Sequence, residues 1–178
     1  MLVNNTRTMT LLFLTLLLLS ALASAEERFN VPPFILILPS AFKSPIETVS
    51  FSGSTYTYLA TGKGQTTSLT ATLLKKNIVH EQTGTLDSNQ CAKIFLEQIK
   101  AKHNRFFVSA TARPMNVGGK RSPQFRWSGA KNGVQLTGVL TCVLLKEAYF
   151  ILSLTDNIQT AAENFPTIRK SIRNITFR

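Results

Sequence analysis

The chain has 178 residues, of which 44% are hydrophobic, a length that suits one domain with a real core. Its 20 Lys and Arg outnumber its 9 Asp and Glu, so the formal net charge is +11. So basic a protein is attracted to anions such as lipid headgroups, surface polysaccharide or an acidic protein. The alternative is a solvated basic surface that aids solubility.

Residues 1–25 have the pattern of a secretory signal peptide. Arg7 precedes an apolar run from Met9 to Leu22, and Ala23-Ser24-Ala25 provides the small residues that signal peptidase requires. An uncleaved membrane anchor is the alternative, but a run of about 14 residues is shorter than the roughly 20 that span a bilayer. We therefore expect cleavage after Ala25 and a periplasmic or secreted protein without a transmembrane segment. Residues 26–178 would then carry a net charge of +10.

The first half of the exported segment is rich in strand signals. An apolar run ends at Pro39, and Thr, Tyr and Val alternate around Gly53, where we expect a bulge. We predict strands over Phe34–Leu38, Thr48–Thr61 and Ser68–Ile78, with a turn at Gly62-Lys63-Gly64.

A helix is predicted next. Asp87 and Gln90 have the spacing of a capping box. The apolar stripe that follows contains Cys91, Ile94, Phe95 and Ile99, and Asn104 can end the helix.

The second half is predicted to be an antiparallel meander that ends in a helix. Asn132-Gly133 is the strongest hairpin signal in the chain. We predict strands over Phe106–Ala112, Gln124–Ser128, Val134–Leu145 and Ala148–Thr155, and a loop over Met115–Pro123.

The closing helix has an apolar stripe of Phe165, Ile168, Ile172 and Ile175 opposite Arg169, Lys170 and Arg173. Pro166 fits best at its first position, and a start after Thr160 with a kink at Pro166 is the alternative. The predicted fold is α+β, an antiparallel sheet of about six strands with helices packed on it.

Two cysteines remain after export, Cys91 and Cys142. Cys91 lies on the apolar stripe of the first helix, and Cys142 lies on the apolar face of Val134–Leu145. If that helix covers that face, the two sulfur atoms can bond, as is common in exported proteins. Two buried free thiols are the alternative.

One segment has the composition of a binding surface. Between positions 113 and 131 there is no acidic residue, and aromatic residues lie among the basic ones. Arginine and aromatic residues are enriched at protein interfaces. The alternative is a basic loop followed by a strand whose aromatics face the core. The candidate binding residues are Arg113, Lys120, Arg121, Arg126, Trp127 and Lys131.

The sequence contains no motif that is typical of a catalytic or cofactor-binding site. The glycine-containing segments at 62–64 and 118–122 lack the spacing of a phosphate-binding loop. A nucleophile needs a base held near it, and the sequence contains no G-x-S-x-G motif, while a disulfide-bonded cysteine is no nucleophile. His80 and His103 do not have the spacing of metal ligands. We expect no enzyme activity, no cofactor and no metal, and export removes nucleic acid as a partner.

Several stretches together resemble the PsbP-like family, which includes DcrB-like periplasmic proteins of bacteria and a Ran-binding nuclear protein. These stretches are Phe34–Pro39, the mid-chain helix, the hairpin that begins at Phe125, the strand from Ala148, and Phe165–Phe177. The resemblance implies an α/β/α sandwich around an antiparallel sheet and a binding or assembly role. Many bacterial members are lipoproteins, whereas this chain lacks a lipid-acceptor cysteine.

The function expected from the sequence is therefore that of an exported, non-enzymatic accessory protein of the bacterial cell envelope. It would bind an unidentified protein or an anionic envelope component through its basic surface. An inhibitor or immunity protein directed against a cell-wall hydrolase or a toxin is the alternative.

Overall fold

A computed structural model describes residues 26–61, 66–109 and 112–178. The predicted signal peptide, its predicted cleavage site and the predicted turn at Gly62-Lys63-Gly64 lie outside these residues. Within the described parts of the chain, no helix is long and apolar enough to cross a membrane.

An antiparallel sheet of eight strands is the centre of the molecule, with the strand order β3-β4-β5-β10-β9-β8-β6 and with β7 paired to β8 beyond this path. The eight strands are β3 (Ile46–Ser50), β4 (Gly53–Leu59), β5 (Ser68–Lys75), β6 (Asn104–Val108), β7 (Arg113–Val117), β8 (Lys120–Lys131), β9 (Val134–Leu144) and β10 (Ala148–Asn157). The sheet is larger than the predicted six strands, while the α+β fold class is confirmed.

In the described parts of the chain, a smaller sheet and three helices complete the fold. The small sheet has the order β1-β2-β11. Its strands are β1 (Glu26–Val31), β2 (Phe34–Pro39) and β11 (Thr176–Phe177), and the helices are α1 (Lys76–Thr83), α2 (Ser88–Lys100) and α3 (Ala161–Arg173).

The strand period of two divides the buried side chains of the large sheet between two cores. On one face, here the α3 face, Val139, Val143 and Phe150 pack with β2 and with Ile168 and Ile172 of α3. On the other, the α2 face, Leu140, Cys142 and Ile151 pack with Cys91 and Leu96 of α2. The layers therefore match the sandwich that the resemblance implied.

The capping box of α2 is present as predicted. The Gln90 backbone N–H donates to Asp87 Oδ1 over 2.8 Å, and the Asp87 N–H donates to Gln90 Oε1 over 2.8 Å. The helix ends at Lys100, four residues before Asn104. The hairpin at Asn132-Gly133 also forms, with φ of 51° and 79°, as a tight turn between twisted strands requires.

Three predicted segments contain other elements than those predicted. Thr48–Thr61 is a hairpin of β3 and β4 that turns between Ser50 and Gly53, and not one strand with a bulge. A Cβ on Gly53 would collide with the Leu73 carbonyl. The strand in Ser68–Ile78 ends at Lys75, and α1 begins at Lys76 and buries Ile78. Met115–Pro123 is the β7–β8 hairpin, with Gly118-Gly119 in its turn. Of the predicted strand Phe106–Ala112, residues 110 and 111 lie outside the described residues, and β6 ends at Val108.

The closing helix follows the alternative start. Its N-cap is Thr160, and Pro166 lies inside the helix. The preferred placement of Pro166 at the first helical position was therefore wrong. Ile168 and Ile172 are buried, as the apolar stripe predicted.

Candidate functional site: a four-arginine cleft

The predicted disulfide is confirmed. Cys91 of α2 bonds to Cys142 of β9, with an S–S distance of 2.03 Å and a sequence separation of 51. The bond lies in the core of the α2 face, where both cysteines are buried. It ties the helix to the centre of the sheet.

The six candidate binding residues do not share one surface. Lys120 and Arg121 lie beside the β7–β8 turn, whereas Lys131 lies at the opposite end of β8 beside the Asn132-Gly133 turn. Arg113 and Arg126 lie between these ends, Arg113 being opposite Gln124 in the ladder. The five basic side chains are exposed.

Trp127 is buried, with only 2% of its surface exposed. It lies on the α2 face, where its ring centroid is 5.0 Å from that of His103 and 5.7 Å from that of Phe106. Because successive residues of a strand point to opposite faces, Trp127 and Arg126 cannot belong to the same contact surface. The interpretation in which the aromatics of this strand face the core therefore holds for Trp127.

Two of the candidate residues meet two arginines from elsewhere in the chain. A cleft of about 420 Å³ lies on the α3 face between the β7–β8 hairpin and α3. Arg113 of β7 and Arg126 of β8 line it on one side, and Arg169 and Arg173 of α3 line it on the other. The rest of the lining is uncharged and consists of Pro114, Met115, Asn116 and Gln124.

The local sequence explains why the α3 arginines reach this cleft. Ile168 and Ile172 are buried and hold the helix against the α3 face. Arg169 and Arg173 each follow one of these isoleucines and are one helical turn apart, so they lie together at the border of the buried stripe. The sequence placed both on the outer face. Their position next to the buried stripe is the sequence signal that could have predicted a shared site for Arg169 and Arg173.

The cleft has an uncompensated positive charge. Burial lowers the pKa of the Arg169 guanidinium, and the charges of Arg126 and Arg173 lower that pKa further. Arg169 Nε is buried and has no hydrogen-bond partner in the part of the chain that the structure describes. Among the same residues the ion pair present is Lys100–Glu97, remote from the cleft. An anion would satisfy these groups.

A second depression, on the α2 face, has a different character. It has a volume of about 460 Å³ and lies between α1, α2 and the strands β4 and β5. Its lining contains Thr55, Thr72, Phe95, Gln98 and Tyr149 and no charged residue. Within the described residues no three His, Cys, Asp or Glu side chains are grouped so as to hold a metal ion. The arginine cleft is therefore the site with the clearest chemistry.

Comparison with known proteins shows the fold of the chain. No family model and no curated protein sequence matches it. Among solved structures, cyanobacterial PsbP from Synechocystis sp. PCC 6803 has a TM-score of 0.60 at 6% identity, covering 89% of this chain and 95% of that one. The protein Mog1, solved as a point mutant, has a TM-score of 0.56 at 8% identity, covering 86% and 96%.

A third structure, LpqN of Mycobacterium tuberculosis, is described as involved in cell envelope biogenesis. It has a TM-score of 0.51 at 18% identity, with coverage of 85% of this chain and 90% of that one. At such identities the likeness shows the fold alone. The chain therefore has the PsbP-like fold, and the resemblance predicted from the sequence is confirmed at that level.

Proposed function

We propose that this chain is an exported, non-enzymatic binding protein of the bacterial cell envelope, and that its four-arginine cleft holds an anionic group of its partner. The observation that carries the proposal is the convergence of Arg113, Arg126, Arg169 and Arg173 on one cleft whose lining contains no carboxylate. Arg169 is half-buried, and its Nε has no hydrogen-bond partner among the described residues. Buried polar groups normally have such a partner, so this guanidinium favours one from outside the chain.

The compartment is proposed from two observations. The Cys91–Cys142 bond is typical of proteins that fold in an oxidising compartment. The signal-peptide pattern of residues 1–25 leads to the same compartment. The envelope description of LpqN belongs to that protein, but it agrees with this location.

Two charge-reversal variants test the proposal because they change the net charge equally. R113E/R126E alters the cleft, and K120E/R121E alters the turn of the same β7–β8 hairpin. The probe is the isolated envelope fraction of the producing organism. The protein is expressed from its full-length chain and purified after export, and binding is measured by co-sedimentation at several salt concentrations.

We expect R113E/R126E to weaken envelope binding at least about tenfold, as loss of charged hydrogen bonds does. K120E/R121E should retain most of the binding. Equal losses in the two variants would show that general charge attraction, and not the cleft, is responsible. All four substituted residues are exposed, so thermal unfolding of both variants should match that of the unmodified protein.

A further inference from the structure

The arginine cleft continues into a depression whose lining is otherwise uncharged. Arg126 and Arg169 also line this depression, which has a volume of about 250 Å³ and lies along the first half of α3. It is separate from the depression on the α2 face. The rest of its lining is uncharged and consists of Thr137, Gly138, Val139, Ala161, Ala162, Phe165 and Pro166. The cleft and the depression therefore share Arg126 and Arg169, and the rest of the depression carries no charge.

The arginines surround the cationic compartment from three elements. Arg113 belongs to β7, Arg126 to β8, and Arg169 and Arg173 to α3. A planar carboxylate presents two oxygens in one plane, which suits one guanidinium fork. A phosphate group presents oxygens in several directions and carries up to two negative charges, which suits donors on several walls. The uncharged Asn116 and Gln124 can add amide hydrogen bonds at the same cleft.

We propose that the anionic group bound in this cleft is the phosphate of an organic phosphate ester, whose carbon skeleton lies in the adjoining depression between Val139 and Phe165. This inference rests on the proposed function and narrows it to one ligand class. Two sources share this chemistry, a lipid headgroup and a soluble phosphorylated compound. Either one places its phosphate against Arg126 and Arg169 and its carbon skeleton against α3.

The first experiment measures anion binding to the purified protein by isothermal titration calorimetry at constant ionic strength. The probes are glycerol phosphate, inorganic phosphate, sulfate and citrate. We expect one site, with glycerol phosphate binding more tightly than inorganic phosphate and sulfate. Tighter binding of citrate or sulfate than of glycerol phosphate would overturn the phosphate assignment while leaving an anion-binding function intact.

A second experiment distinguishes the two sources of the phosphate. Phosphatidylcholine vesicles with and without phosphatidic acid are mixed with the protein and sedimented. Binding to phosphatidic acid vesicles as well as to glycerol phosphate supports a lipid headgroup, and binding of glycerol phosphate without binding to the vesicles supports a soluble ester. Absence of binding in both experiments overturns the inference. If binding to envelope fractions also resists R113E/R126E, the proposed function fails as well.

Conservative variants test the geometry. R126K/R169K retains both charges but removes the planar forks, so glycerol phosphate should bind at least about tenfold more weakly. K120E/R121E is the control and should bind it almost normally. Unchanged affinity in R126K/R169K would mean that general charge attraction is sufficient, and the inference would be wrong.

The placement of the carbon skeleton in the adjoining depression has its own test. Ala162 is exposed at the depression, and A162W would fill that space without changing charge. We expect this variant to lose the preference for glycerol phosphate while retaining affinity for inorganic phosphate. A preference that survives A162W would overturn the placement of the carbon skeleton.

Discussion

Trp127 of β8 lies directly across the ladder from Gly138 of β9, and the indole ring occupies the space above the glycine. A Cβ added to Gly138 would lie 2.5 Å from Trp127 Cε2 and Cζ2. Thr137 Oγ1 donates to the Trp127 carbonyl oxygen over 2.9 Å and holds the two strands together at this point. The glycine is therefore part of the packing of the α2 face.

Substitution of Gly138 by Ala should destabilise the protein. The ring is fixed by His103 and Phe106, so it cannot move away without disturbing the core. Overpacking of this kind costs about 1–3 kcal/mol. Equilibrium unfolding in urea measures the loss. In a W127L background the same substitution should cost much less, and an equal cost in both backgrounds would exclude the ring contact as the cause.

Loss of the Cys91–Cys142 bond should have a larger effect. Closing a loop of this length, with a separation of 51, stabilises the native state by about 4 kcal/mol in the chain-entropy model. The C91A/C142A variant and the reduced wild-type protein should therefore show similar losses in urea unfolding. Reductant should not affect the double variant. A loss below about 1 kcal/mol in the reduced wild type would contradict this account.

Asp156 should be a stabilising carboxylate although no cation pairs with it in the described chain. It is fully buried, and its Oδ1 accepts from the Asn157 N–H at 2.7 Å and from the hydroxyls of Thr160 and Thr66 at 2.9 and 3.1 Å. Its Oδ2 accepts from Asn164 Nδ2 at 2.8 Å. Together these bonds connect the end of β10 to the first turns of α3.

D156N places an amide N–H₂ against one of these donors. We expect a loss of about 1–3 kcal/mol in unfolding free energy, the usual cost of an unmatched buried group. D87N provides the matched control, because Asn caps a helix about as well as Asp and Asp87 is exposed. Similar losses in the two variants would contradict a special role for Asp156.

Local signals predicted much of this fold. The capping box at Asp87, the Asn132-Gly133 turn and the alternation along Val134–Leu144 depend on neighbouring residues, and each formed where the sequence placed it. The Cys91–Cys142 bond could also be predicted, because both residues lie on apolar faces that have to pack against each other. Such features need no knowledge of distant contacts.

The arginine cleft could not be predicted without knowledge of distant contacts. Arg126 and Arg169 are 43 positions apart in sequence, and only the packing of α3 beside the β7–β8 hairpin brings them together. Trp127 and Arg126 are adjacent in sequence, yet the strand sends them to opposite faces. The candidate residues that are close in sequence between positions 113 and 131 therefore lie on two different surfaces. The β7–β8 hairpin was missed because Gly118-Gly119 and the prolines around it also fit a loop.

Tyr58 should make the protein sensitive to alkaline pH. Its side chain is fully buried, and its hydroxyl has no hydrogen-bond partner among the described residues. Burial raises the pKa of Tyr58 above its ordinary value of about 10, and the Tyr56 phenol raises that pKa further. The unfolded chain then loses this proton at lower pH than the folded protein does. Stability is therefore retained below pH 10 and falls as the pH rises beyond it.

Y58F removes the hydroxyl and its titration together. We expect unchanged or higher stability at pH 7 and a smaller loss between pH 9 and about pH 11 than the wild type shows. Y149F is the matched control, because the Tyr149 hydroxyl lies 2.9 Å from His80 Nε2 and accepts from the Leu86 N–H at 3.1 Å. That variant should lose about 1 kcal/mol at pH 7. Urea unfolding across this pH range measures both, and a Y58F curve parallel to the wild-type curve would show that another group causes the alkaline loss.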